Sequence, residues 1–324
     1  MRQKEKIAAA VFISAVLIAI LLSQVQIADI IVTIAKIDIP YLIAGFILYA
    51  CSYLFRALRF YALLHGRIGL RDLFSIVCIH NMMNNLLPAR TGELSYIYLV
   101  KHRIAVSDGI ASLMIARVFD LIAISMLFFI AAISAQNLPD AISRSLPYIA
   151  TLMLIAIFSL FLITYKGSFV QNLRHRQKIK ILKFLAEKLE EIVQSFDMIK
   201  SKNVVINCFF SSMVIWVCLY FTVYVLLISI NVNLSLKLII LGATFSLFIN
   251  ILPIPSIGNF GPYEGVWALA FFSFGLPKIE AISTGFMVHI VITMYYLILG
   301  CYGFIKLRSL KPNTSFSLFL FFKS

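Results

Sequence analysis

Long apolar runs separated by short polar clusters fill the chain. Residues 7 to about 27, 39 to 60, 109 to 135, 147 to 165, 204 to 230 and 281 to 305 each approach or exceed the ~20 residues a helix needs to cross a bilayer. A helix satisfies its own backbone donors and acceptors in hydrocarbon, so the runs predict spans. Two further stretches, 70–103 and 236–275, are apolar but interrupted. In the first, residues 73–87 carry His80, Asn81, Asn84 and Asn85, and Pro88 then stops the helix. A proline has no amide donor and clashes with the preceding turn. At ~1.5 Å per residue neither half crosses ~30 Å of hydrocarbon. The pattern predicts a re-entrant hairpin whose broken backbone is buried in protein or lines a wet cavity.

The second interruption repeats the grammar of the first. Asn84-Asn85-Leu86-Leu87-Pro88-Ala89-Arg90-Thr91-Gly92-Glu93 is matched by Asn250-Ile251-Leu252-Pro253, followed by Gly258, Gly261, Pro262 and Glu264. An odd number of spans separates them, which reverses orientation. The first hairpin then opens from the cytoplasm and the second from outside, as in the inverted repeats of secondary transporters. Chance likeness of two Leu-Pro turns in an Ile/Leu-rich chain is the competing explanation. The expected fold is an all-α polytopic membrane protein with six full spans and two re-entrant helical hairpins in an inverted repeat. The repeat units are about 70–135 and 236–305, within a transmembrane domain 1–311 that a short tail, 312–324, follows.

Composition agrees with this reading. The 324 residues are 61% hydrophobic with mean hydropathy +0.97, which excludes a soluble domain and a disordered chain. The net charge of +14 is read as Lys and Arg retained on the cytoplasmic side, not as a nucleic-acid footprint. Lys36, Arg144, Lys237 and Lys278 fall outside, Arg90 and Arg117 fall at membrane depth, and the rest of the 28 Lys and Arg fall inside. Both termini are then cytoplasmic, and residues 7–27 are an uncleaved anchor. Arg56 and Arg59, at the end of the second span, are expected to snorkel to the interface. In the linker 166–203, Leu182, Leu185, Leu189, Ile192, Phe196 and Ile199 recur at helical spacing among basic residues. That is an amphipathic helix, either on anionic inner-leaflet lipid or against a partner protein. The five cysteines show neither zinc spacing nor a disulfide framework, and no cofactor or metal is expected.

The candidate chemistry lies at the two breaks. A half-helix starting near Thr91 or Gly261 presents free amides and a positive dipole end, which favour a phosphate. Arg90 adds forked donors, and Gly92, Gly258 and Gly261 allow close backbone approach to a ligand. Asn85 and Asn250 either ligate a headgroup or satisfy their own broken helices. Glu93 and Glu264 either serve the site or cap helices. With Gly261 as cap and Pro262 first, Glu264 takes the third helical position. Arg117 and Asp120 share one helical face, and an ionisable pair inside a span points to function, or else to a self-neutralised structural pair. His289 sits mid-span at the corresponding place of the second repeat, as a packed, hydrogen-bonded side chain or as a proton carrier.

Three motifs resemble one known family. The run from Asn85 to Glu93, the set Arg117-Val118-Phe119-Asp120, and the run from Pro253 to Glu264 resemble the flippase-like membrane domain of lysylphosphatidylglycerol synthases. The resemblance covers roughly 7–308. It implies an integral membrane protein that moves or handles a lipid, or a lipid-linked sugar. The chain departs from that pattern at Ala116, at Ser95 and Tyr96, and at Ile257-Gly258-Asn259, which bears on substrate more than on fold. No soluble synthetase domain follows the spans, so aminoacyl transfer is not expected of this chain.

The leading expectation is a lipid translocase of the cell membrane, not an enzyme. It takes an anionic phospholipid or a polyprenyl-phosphate-linked sugar between the hairpins, with Asp120 tuning Arg117. No P-loop occurs. Two alternatives stand beside it. One is an intramembrane enzyme using Glu93, Asp120 or Glu264 as base or metal ligand. The other is an accessory subunit that docks a glycosyltransferase through 166–203.

Overall fold

The computed structural model describes residues 15–87, 92–135, 201–249 and 258–310, with scattered positions between 143 and 154. Most of the predicted fourth span and all but the last three residues of the amphipathic linker 166–203 therefore lie outside the described residues, as does the tail. Among the described residues four helices are long and apolar enough to cross a membrane: α3 (Ile39–Leu63), α6 (Val106–Ser134), α7 (Lys202–Ser229) and α10 (Lys278–Leu310). α3 begins after Asp38 with Pro40 in its first turn, where a missing amide costs nothing, and ends at the positive-φ pair His65 and Gly66. Of the anchor expected over 7–27, residues 7–14 lie outside the described residues and 15–22 are helical, and the chain then turns sharply. α1 (Ala15–Leu22) and α2 (Ile27–Ala35) meet at 85°, and the Asp29 carboxylate accepts the Gln26 amide at the bend.

Both interrupted stretches form helix–break–helix units. α4 (Leu70–Leu86) and α5 (Glu93–Val100) flank the first break. α8 (Leu236–Ile249) and α9 (Pro262–Ser273) flank the second. Their lengths of 17, 8, 14 and 12 residues all fall short of the ~20 that span hydrocarbon. In each unit the two halves pack on one another, and the second half packs on the long helix that follows it. The far end of the first unit is pinned by Arg67 to Asp108 at 2.6 Å, and by Arg103 to Asp72.

The long helices exchange partners across the molecule. α3 lies along α7, α4 packs on α10, and α8 packs on α6. Lys237 at the start of α8 donates to the Ser134 carbonyl at the end of α6, at 2.6 Å. Small residues set the closest approach, as in other membrane interfaces. A Cβ at Gly303 of α10 would stand 2.7 Å from the Ser75 carbonyl of α4, and one at Gly45 of α3 would stand 3.0 Å from the Tyr295 hydroxyl. Elsewhere the helices present apolar stripes such as Ile290, Met294, Ile298 and Ile305, which suit acyl chains.

Candidate functional site

The centre of the first half is an ion pair between spans that are distant in sequence. Arg59 of α3 is 1% exposed and Asp120 of α6 is 4% exposed. The guanidinium grips both carboxylate oxygens, at 2.6 and 3.2 Å, and one of its nitrogens also donates to Ser212 Oγ of α7 at 2.6 Å. Trp216 Nε1 of α7 donates to the same carboxylate at 3.1 Å. Three spans are thus tied at one buried carboxylate. Two expectations are corrected here. Arg59 does not snorkel, because a bidentate partner and a hydroxyl hold it in the interior. Asp120 does not pair with Arg117; the three-residue spacing puts both on one face, but Arg59 outcompetes Arg117 for the carboxylate with forked geometry.

Arg117 turns instead to Glu93 at the start of α5, at 3.0 Å, with both side chains 36% exposed. At that exposure an ion pair contributes about 0–1 kcal/mol. Arg117 can therefore trade Glu93 for another anion at little cost. Arg117, Arg56, Arg59, His80, Asn81 and Asp120 converge on a narrow cleft between α3, α4 and α6. Arg56 has no ion pair among the described residues, and its Nε is buried without a hydrogen-bond partner. Three guanidinium groups thus line the cleft against the Asp120 carboxylate within it and the Glu93 carboxylate held by Arg117. In this arrangement the cleft has room for little more than water, so a phosphate-sized group needs its walls to part.

Gly92 is the N-cap residue of α5, a place the sequence gives to Thr91, and it makes no side-chain cap. Its φ of −62° is ordinary for any residue. What requires glycine is contact: a Cβ would lie 2.4 Å from backbone atoms of Met83 and Asn84. Ser95 Oγ donates back to the Gly92 carbonyl at 2.6 Å. Asn85 Nδ2 donates to the Asn81 carbonyl at 2.8 Å, so it satisfies its own helix rather than facing a ligand. The neighbouring Asn84 Oδ1 is buried with no partner. Arg90 and Thr91, and Asn250 of the second break, lie outside the described residues.

At the second break Gly258, Asn259 and Gly261 all take positive φ, which folds the chain sharply into α9. The space a Gly258 side chain would take lies 3.9 Å from the Asn85 carbonyl, so both breaks abut the same end of α4. Glu264 is fully buried and does two things. Oε2 accepts the Gly261 amide at 2.7 Å, which is the expected capping role, and Oε1 lies 2.5 Å from His289 Nδ1 of α10. Phe260 stacks on the imidazole at 4.2 Å and Tyr263 lies against it at 4.6 Å. The two halves match in spacing: Glu93 meets a base 24 residues on, and Glu264 meets one 25 residues on.

Sequence reasoning missed Arg56, Arg59, His80 and Asn81 as cleft residues. A signal was present: Arg56 and Arg59 are three apart, so they share a face as Arg117 and Asp120 do. Among the described residues no three His, Cys, Asp or Glu side chains gather as metal ligands.

The long apolar helices, the broken half-helices and the buried charges between them define an integral, polytopic α-helical membrane protein. The profile described as the lysylphosphatidylglycerol synthase TM region matches residues 7–300, and the chain belongs to that family. It is also similar to a UPF0104 membrane protein of Methanocaldococcus jannaschii, with 26% identity over 186 residues, covering 54% of this chain and 73% of that protein. No solved structure matches.

Proposed function

We propose that the protein is a translocase of the cell membrane that moves an anionic, phosphate-bearing lipid between leaflets without covalent chemistry. The observation that carries this reading is the cleft, where the three guanidinium groups of Arg56, Arg59 and Arg117 meet two carboxylates, Asp120 bound to Arg59 and Glu93 bound to Arg117, which leaves one positive charge in excess. A buried excess of positive charge is costly, so it favours an anion. Arg59 is engaged by Asp120 and sets the scaffold. Arg56 and Arg117 are the groups that would take the phosphate oxygens, Arg117 by releasing Glu93.

Family membership supports a lipid-related role, and the packing supports alternating access. The α4–α10 and α8–α6 contacts, and the twin Glu–base pairs, are what an inverted repeat built on α3–α6 and α7–α10 would produce. In such a repeat, rocking of one hairpin against the other would expose the cleft to each side in turn, while the acyl chains stay against the apolar stripes. The amides ahead of α5, with Arg90, would add phosphate donors. The basic linker 166–203 would hold anionic inner-leaflet lipid.

The test is a reconstituted flipping assay with fluorescent phosphatidylglycerol. Wild type should move it, and Arg56→Gln and Arg117→Gln should each slow it about 10-fold or more, as loss of one charged donor implies. Equal rates in all three proteins would refute this mechanism.

A further inference from the structure

The two halves place different bases at the same point. Glu93 faces an arginine, which does not give up its proton under any cellular condition. Glu264 faces a histidine, the side chain whose charge changes near neutral pH. We propose that Glu264 and His289 form a proton-binding site that couples proton uptake to anion binding in the cleft.

The geometry carries this. Glu264 is fully buried, Oε2 is committed to the Gly261 amide, and Oε1 is 2.5 Å from Nδ1, so one proton lies between carboxylate and imidazole. With the ring neutral, that proton is the Nδ1 proton and the pair carries one negative charge. A second proton, taken from water, adds to Nε2, which has no hydrogen-bond partner among the described residues, and the pair becomes neutral. Loss of that proton to water reverses the step. The lid on the imidazole belongs to the hairpin itself: Phe260 sits in the turn and Tyr263 in the first turn of α9. Withdrawal of α9 from α10 would therefore wet the pair and let the proton leave.

The surroundings make this pair the local titrating unit. Tyr263 is the titratable neighbour on α9. On α4, packed against α10, His80 faces Ser95 and Tyr96 instead. The arginines of α3 face the cleft. α7 carries one charged side chain, Lys202 at its start, its Tyr220 bonds to Thr244 and its Tyr224 lies on Phe221, and the Asp29 side chain of α2 caps its own helix at Gln26. On α8, Lys237 is spent on the Ser134 carbonyl.

Coupling follows because both breaks abut residues Met83, Asn84 and Asn85 at the end of α4. A pair that loses its negative charge stops opposing an anion nearby, so proton and anion bind cooperatively, and each raises the affinity of the other by the same factor. The sign is that anionic lipid binds more tightly at lower pH. The coupling rests on the translocase reading, whereas the proton site does not.

The experiment uses the full chain in phosphatidylcholine nanodiscs, with its five histidines labelled with nitrogen-15. The signal lost in His289→Gln should pass from neutral to charged ring as the pH is lowered through the range in which histidines change charge. Glu264→Gln, which keeps an acceptor for the Gly261 amide, should displace that transition. Adding phosphatidylglycerol at constant pH should shift the wild-type signal toward the charged form and draw a proton from a weakly buffered dye solution, and His289→Gln should draw none. A His289 signal that stays in one form across the range overturns the proton site. A titrating signal indifferent to phosphatidylglycerol, with Arg56→Gln binding that lipid as wild type does, overturns the translocase reading and leaves the proton site standing.

Discussion

Arg59 shows how one residue can be misread from sequence and then explain a whole region. At the end of an apolar run an arginine is expected to reach for water. What keeps it inside is a carboxylate 61 positions away in the chain, which local pattern cannot reveal. Removing that carboxylate's charge strands a buried cation. Asp120→Asn should therefore lower stability by about 3–5 kcal/mol, read as a fall in melting temperature of the purified protein, whereas Arg59→Met with Asp120→Leu should regain most of it. Glycines divide just as sharply. Gly92→Ala forces a Cβ to 2.4 Å from α4 backbone and should cost at least about 1–3 kcal/mol. Gly265, inside α9 with open space around it, should gain up to about 1 kcal/mol as alanine. A thermal shift that ranks the two alanine variants the other way would show that the α4–α5 contact is wrong. Glu264 was half legible: Gly261-Pro262 fixed its capping position in advance, but its bond to His289 depends on how α9 lies on α10.

Element boundaries were the most legible part. Proline, glycine and hydropathy put the ends of α3, α6, α7 and α10 within a few residues, because the bilayer fixes helix length and backbone chemistry fixes what may break it. The 85° turn between α1 and α2 was not legible, since Ser23 to Gln26 carry no proline or glycine. The proposed inverted repeat makes a labelling prediction. In a background free of the native cysteines, cysteine at Arg67 or Lys101 should react with a membrane-impermeant maleimide only from the cytoplasmic side, and cysteine at Lys278 only from outside. Labelling of all three from one side would contradict the inverted arrangement.

At the scale of the whole molecule, the sequence indicated the family and the two breaks but placed the anion among Arg90, Arg117 and the half-helix ends. The proposed anion site rests instead on Arg56 and Arg117, around a cleft that Arg59 and Asp120 also line. That shift could not be read from the chain, because the cleft forms only where α3, α4 and α6 meet. It also changes the variants worth making. The most direct measurement is lipid retained by the purified protein, compared by native mass spectrometry from mixed phosphatidylglycerol and phosphatidylcholine bilayers. Wild type should retain phosphatidylglycerol in preference, and Arg56→Gln should lose that preference while keeping wild-type thermal stability. Equal retention of the two lipids by wild type, or an unchanged preference in Arg56→Gln, would contradict an anion site in the cleft.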